Sequence, residues 1–417
     1  MTGPAAGAAP PQVPPAERRH VLDLTLLSAA HAVTHVQPVV YPLVFPFAMQ
    51  ALGFGFPQIG LLLAVSNLVS GVLQGVHGWL SRWVKRKTLC GAGNILLGAS
   101  MAISGLASNF GVFTGGRVLG GVAASPQHPV AASLMSDWYR RKGRGSAFSV
   151  HFSGGNVGTL LGPVLAGFLL PHLGWRATLM VFGLPGVVIG ALVWIFLDDR
   201  RAAGDLGTQP ARPAQGTSRY LAAVRRPDVL LLVLARAITS GGRGIGIVLT
   251  FVPLYLLGVV KLSTQQTGFF VSLLALGSVV GPLLAGRLAD RVGRKQVVIA
   301  SLLTAAVATV GLIAAERSFA VMVVALLLMG IAVYNESPLT QAMVADVSPP
   351  DEREGAFSVY FVVSYVAGAL WAGGMGLMIP RFGFTAVFAL MVASYVVSSF
   401  VLLFVRQGGR PASPANA

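Results

Sequence analysis

One carboxylate, Glu336, stands inside an otherwise apolar run, in the segment Tyr334-Asn-Glu-Ser-Pro338. Upstream, Arg236 and Arg243 lie seven residues apart in another apolar run. Seven residues bring a helix within about 20° of a whole number of turns, so both guanidinium groups share one face. Gly241, Gly242, Gly244 and Gly246 make the backbone around them easy to bend. His31 and His35 are four apart and also share a face, and His128 precedes Pro129 in a further apolar run that carries Arg117. A central charge in lipid costs about 2.5–3.5 kcal/mol on insertion scales, so such groups face a cavity or a partner. Glu336 reads as a proton carrier or substrate ligand, or else as the structural partner of an arginine. Arg243 reads as a contact for an anion or for Glu336. Arg236 reads either as the second cation of that face or as a side chain snorkelling to the interface. His35 and His128 read as cavity-lining groups able to titrate near neutral pH, against a hydrogen-bonded structural role that suits His31 better. Tyr334 and Asn335 join them as neighbours of Glu336. Arg117 needs a partner whatever it does. His151 reads as a gate or packing residue.

These positions matter only if lipid surrounds the chain, and its composition says so. Of 417 residues, 54% are hydrophobic and 11% charged, against about 25% charged in soluble domains. Apolar runs long enough to span a bilayer cover residues 21–50, 59–79, 88–107, 110–135, 145–170, 177–197, 229–257, 265–288, 296–315, 319–347, 355–379 and 384–405. The expected organisation is a disordered tail (1–20), a six-helix bundle (21–197), a linker (198–228), a second six-helix bundle (229–405) and a short tail (406–417). The net charge of +16 sits in short clusters between apolar runs. That pattern fits loops facing anionic lipid and not a nucleic-acid footprint. With the N-terminus inside, nearly all loop Lys and Arg fall on the cytoplasmic side, which places both termini and the linker there. The single cysteine, Cys90, excludes a disulfide framework. No Walker loop, catalytic Ser/His/Asp motif or metal-ligand spacing occurs, so neither an enzyme nor a bound cofactor is expected.

The halves repeat. Gly78-Trp-Leu-Ser-Arg-Trp-Val-Lys-Arg-Lys87 after the second run parallels Gly286-Arg-Leu-Ala-Asp-Arg-Val-Gly-Arg-Lys295 after the eighth. A shift of 209 aligns 144–152 with 353–361, Pro129 with Pro338 and Asp137 with Asp346. Parallel six-helix repeats place a binding site between halves near the midplane.

On these residues the chain resembles the major facilitator superfamily over about residues 20–405. Gly286, Asp290, Arg291, Gly293, Arg294 and Lys295 fit that family's G-x-L-x-D-R-x-G-R-K loop. The resemblance implies a gate in which Asp290 grips a partner in one state only, with Asp137 and Asp346 in the same cytoplasmic belt. Arg82 replaces the aspartate in the first-half copy, which shifts the gate to the second. Arg117 with Gly121 is similar to an element linked in the family to proton coupling. Gly158, Gly162 and Pro163 are similar to a drug-antiporter motif. Gly277, Gly281 and Pro282 carry the same spacing in the eighth run, so close packing explains both equally. Pro57-Gln-Ile-Gly60, Gln127-His-Pro129 and Phe152-Ser-Gly-Gly-Asn156 resemble the fosmidomycin-resistance type of efflux protein, with Val130 in place of an acid. The resemblance implies a monomeric, multi-pass carrier in the cytoplasmic membrane, driven by the proton gradient. Its implied cargo is a small polar or anionic molecule, exported or, alternatively, imported by symport; a membrane sensor is the remote alternative. Pro129 and Pro338 are expected to kink their helices.

Overall fold

A computed structural model describes residues 15–81, 83–139, 143–199, 225–243, 246–315, 318–349 and 352–406. Within them every regular element is an α-helix. They are α1 (Pro15–Leu52), α2 (Phe56–Leu80), α3 (Arg86–Gly105), α4 (Phe110–Ala124), α5 (Gln127–Trp138), α6 (Arg144–Phe196), α7 (Pro227–Arg243), α8 (Ile247–Gly258), α9 (Thr264–Val292), α10 (Arg294–Ala314), α11 (Phe319–Val333), α12 (Glu336–Val347) and α13 (Arg353–Leu403). In lipid no water satisfies a free peptide group, and a helix satisfies its own.

Helix α6 has 53 residues, or roughly 80 Å at 1.5 Å per residue, more than twice the hydrocarbon thickness. It doubles back at Gly174, whose φ of 72° and ψ of 166° leave the helical region. The packing shows the reversal. Gly154, Gly158 and Gly162 climb α1 in step with Ser28, Ala32 and Val39. Beyond the bend, Gly183 and Gly190 descend α3 against Gly98 and Gly91, while α1 and α3 run in the same sense through Gln37–Ser100 and Tyr41–Ser104. Helix α13 reverses in the same way at Gly383, φ 72°. Its first limb rises beside α7 through Arg236–Ser364 and Trp371–Ala237, and its second descends through Tyr395–Gly242 and Ser398–Ala235. Pairs α4/α5, α7/α8 and α11/α12 are each one crossing broken near its middle. The chain therefore crosses twelve times, in two six-crossing halves.

The repeat of 209 residues is carried into the backbone. Breaks at Ser125–Pro126 and Tyr334–Asn335 coincide under it, as do Gly174 and Gly383. Pro129 and Pro338, expected to kink their helices, are each the third residue of the helix after the break. The residues four positions before them, whose carbonyls a proline ring crowds, are Ser125 and Tyr334 at the breaks themselves. Helix α1 begins at Pro15, inside the 1–20 stretch expected to be a disordered tail, with proline at a position that suits it. Residues 1–14, Arg82, 200–224 and 407–417 lie outside the described residues.

The exterior is apolar: Leu184, Leu283, Val307, Leu370 and Phe400 are all exposed. Asp23, Gln37, Thr239, Asn335 and Glu336 are buried. Such a distribution fits a bundle solvated by lipid. One end of the bundle, the basic end, carries Arg86, Arg226, Arg294, Lys295 and Arg353. There Arg86 bridges Asp137 (2.5 Å) and Asp199 (3.0 Å), and Arg294 pairs with Asp346. Lys295, the repeat equivalent of Arg86, donates to the carbonyls of Leu403 and Val405.

The contacts joining the halves favour the opposite end. There α1 packs on α8, Gly60 meets Ala372 and Gly376, and Gly268 meets Pro163. One continuous apolar core runs from Val39–Phe45 of α1 into Phe251–Leu256 of α8. At the basic end the first half keeps a separate core of Leu27, Cys90, Val130, Leu134 and Val193, and α5 and α12 each pack on helices of their own half. The bundle is thus sealed at the opposite end and splayed toward the basic end.

The α3–α6 seam makes the first prediction. A Cβ on Gly98 would lie 2.3 Å from the carbonyl oxygen of Gly183, whereas one on Gly286 meets nothing within 4 Å. Gly98→Ala should lower the melting temperature of the detergent-solubilised protein, with a cost of about 1–3 kcal/mol, and Gly286→Ala should leave it unchanged. Indistinguishable fluorescence melts for the two variants would contradict this packing.

Candidate functional site

The break between α11 and α12 sets the site. Tyr334 and Asn335 form a turn that interrupts the helical hydrogen bonding while the backbone stays near the right-handed helical region, and Glu336 opens the next helix. The Glu336 side chain therefore projects from a helix N-terminus, where the backbone dipole favours a negative charge. Its Oε2 accepts from Arg236 Nη1 at 2.7 Å, with side chains 5% and 2% exposed for Arg and Glu. Thr340 Oγ1 stands 3.3 Å from Oε1, and Arg236 Nε donates to Ser364 Oγ at 3.0 Å. The guanidinium also lies 5.9 Å from the centroid of the Tyr360 ring. Arg236 is therefore no snorkelling side chain.

Arg243 ends α7 at the backbone break of the seventh crossing. It is half-buried, sits 5.3 Å from the Tyr334 ring centroid, and leaves Nε without a hydrogen-bond partner. The partner of Glu336 is Arg236, one helix face shared but two turns nearer the basic end. Asn335 donates to Ser301 Oγ at 3.2 Å.

In the first half, Arg117 is 9% exposed. Its Nη1 donates to Gln37 Oε1 at 3.3 Å, its guanidinium faces Tyr41 at 5.4 Å, and its Nε is unpartnered. Among the described residues, neither Arg117 nor Arg243 has an acidic partner. Charge burial is costly unless compensated, so the interior holds a surplus of positive charge that an anion would relieve.

The histidines gather apart from the ionic pair. His31 stacks on His151 with ring centroids 4.2 Å apart, and His35 and His128 meet His31 edge-on at 4.6 and 5.0 Å. His31 is buried, His35 half-buried and His128 exposed into the opening. His151, read from sequence as a gate or packing residue, belongs to this cluster.

Of the residues expected at a gate, Asp290 and Arg291 are exposed at the end of α9, and Gly293, φ 102°, makes the turn into α10. Gly158 and Gly162 pack against α1, and Gly277 and Gly281 pack against α11. Both copies of the G-x-x-x-G-P spacing thus serve close helix approach. Two contacts across the halves were not foreseen. Gln74 donates to Tyr365 at 2.5 Å beside Gly71, and Ser272 donates to the Leu160 carbonyl. Gly71, which a Cβ would drive into the Tyr365 ring, was the one trace of the first.

Removing one partner of a buried ion pair strands the other, at about 3–5 kcal/mol. Arg236→Met and Glu336→Leu should each lower the melting temperature strongly, and the double variant should recover most of the loss. A double variant no more stable than either single one would show that the pair is not coupled as described.

The family profile for the Major Facilitator Superfamily matches residues 27–281 and 244–417 of this chain. The chain is 24% identical over 367 residues to the uncharacterized MFS-type transporter YfnC of Bacillus subtilis (strain 168), covering 87% of each. It is 25% identical over 286 residues, 60% of each chain, to a probable hexose phosphate transport protein of Chlamydia muridarum. Among solved structures it is similar to a bacterial homolog of the human lysosomal transporter Spinster in an inward-facing, unoccupied conformation, with a TM-score of 0.74 and 17% identity over 93% of this chain and 95% of that one. The family profile spans both halves of the twelve-crossing bundle, and the chain belongs to the Major Facilitator Superfamily of membrane transporters.

Proposed function

We propose that this transporter carries a small organic anion by alternating access, as a proton-coupled exporter whose basic end faces the cytoplasm. The observation that carries the anion is two interior guanidinium groups, half-buried Arg243 and buried Arg117, with no acidic partner among the described residues. A planar guanidinium suits phosphate, phosphonate and carboxylate, and the Chlamydia relative is named for hexose phosphate. Arg243 beside Tyr334, at the break of the seventh crossing, is the substrate-binding group in this reading.

The Lys and Arg of the loops support both termini on the cytoplasmic side, and in this reading the splayed end opens inward. Glu336 carries the coupling proton: held by Arg236 it is ionised, and protonation releases the pair and frees the halves to rock. Asp290 then closes the cytoplasmic gate in the opposite state. The fosmidomycin-resistance resemblance supports export of a polar compound. The same guanidinium surplus supports the second reading, an importer working by proton symport, and the sign of the driving gradient separates the two.

A thermal-shift screen of sugar phosphates, phosphonates and small carboxylates tests the reading, because a ligand selective for the folded state raises its stability. At least one anion should stabilise the wild type and lose that effect in Arg243→Ala. In proteoliposomes its flux should follow an imposed proton gradient and vanish in Glu336→Gln. Stabilisation only by cations, or equal stabilisation of Arg243→Ala, would overturn the substrate class.

A further inference from the structure

Four of the seven histidines stand together in the first half, away from the Arg236–Glu336 pair. Their hydrogen bonds fix where the ring protons are. His31 Nδ1 lies 2.8 Å from the backbone oxygen of His151, which can only accept, so Nδ1 carries the hydrogen. His35 Nδ1 lies 3.0 Å from Thr159 Oγ1. That hydroxyl donates its own proton to the Gly155 carbonyl at 3.1 Å, so it accepts from His35. In a neutral imidazole a hydrogen on Nδ1 leaves the lone pair on Nε2. His31 and His35 therefore each present a bare Nε2, one helical turn apart on α1.

His31 is 1% exposed, and its Nε2 has no hydrogen-bond partner. A buried acceptor left open in this way points to an absent donor or cation. His128, at the start of α5, supplies a third ring: one nitrogen from each of His31, His35 and His128 lies within 4.8 Å of the others. Gly155 makes room for the arrangement, since a Cβ there would lie 2.8 Å from His31 Cε1. The backbone oxygen of His151 and the Thr159 hydroxyl stand where outer partners of metal-bound histidines stand, orienting each ring through its Nδ1–H.

An anion would be repelled by converging lone pairs. Magnesium and calcium prefer oxygen ligands, whereas neutral imidazoles suit late first-row transition metals. We propose that His31, His35 and His128 bind a divalent transition-metal ion of the zinc class through three imidazole nitrogens. Metal–nitrogen bonds of about 2.0–2.1 Å need only a modest inward turn of the rings. His128 is exposed, so the fourth position opens to the cavity, as in zinc sites that keep a place for water or substrate. The ion ties α1 to α5, the half-helix on the splayed side of the fourth crossing. This assignment stands whether or not the transported molecule is an anion.

The test uses the purified full chain in detergent, stripped of chelator and of any affinity tag, titrated with Co²⁺ alone. One Co²⁺ per chain should bind, with the visible bands of a tetrahedral nitrogen-ligated ion, and Zn²⁺ should displace it. Loss of an outer partner already costs roughly 10–100-fold in affinity, so His35→Ala and His128→Ala should each weaken binding at least about tenfold. His172→Ala, outside the cluster, should bind as the wild type does. His128→Gln, on an exposed side chain, provides the same reading if His35→Ala fails to fold. Absence of saturable one-to-one binding, or unchanged affinity in the His128 variants, overturns the site.

Discussion

Hydrocarbon offers no hydrogen bonds, and that single constraint governs both the backbone and the charges of this chain. Backbone groups are satisfied by helices, and the breaks at Ser125–Pro126, Tyr334–Asn335 and the end of α7 occur inside crossings, where protein surrounds them. Glu336 is tolerable because it begins a helix and meets Arg236 at 2.7 Å. The cation has its own support in Ser364, which accepts from Arg236 while donating to the Tyr360 carbonyl, so α13 is drawn in with α7 and α12. A buried pair so arranged is costly to break by halves.

The two halves share a backbone plan and divide the chemistry. Under the 209-residue shift Glu336 corresponds to Gln127, and Arg236 to Leu27. In the first half Gln127 Nε2 donates to the backbone oxygen of Leu27 at 3.3 Å. The same two positions are thus in contact in both halves, neutral in one and ionised in the other. The partner of His31 at the repeat position is Ser240, and that of His151 is Tyr360, whose ring lies by Arg236. Histidines occupy one half and the guanidinium–carboxylate pair the other.

Much of this was legible in the sequence because lipid enforces long apolar runs and punishes stray charge. The crossings, the repeat and the short list of interior charges all follow from that. The breaks in the fourth and tenth crossings begin at Ser125 and Tyr334, four residues before Pro129 and Pro338, the distance at which a proline ring crowds a helical carbonyl. Which arginine meets Glu336 was open for a reason of depth. Arg236 and Arg243 share a face, and only the true helix ends show that Arg236 lies about 14 Å from the start of α7, near the depth of Glu336, roughly 16 Å from the end of α12, while Arg243 lies about 24 Å in. The histidine cluster was half legible: His31 and His35 announce a face, but the packing of α6 that brings His151 onto His31 depends on Gly155, a small residue among many.

The account rests on an interior that is positive and open from the basic end. Its sharpest test is the modification rate of Ser337→Cys, placed in a Cys90→Ala background, by small methanethiosulfonate reagents of opposite charge. The account predicts that the anionic reagent reacts faster than the cationic one, relative to their rates with a free thiol, and that Arg243→Gln removes the preference. A faster reaction with the cationic reagent, or a preference untouched by Arg243→Gln, would contradict it.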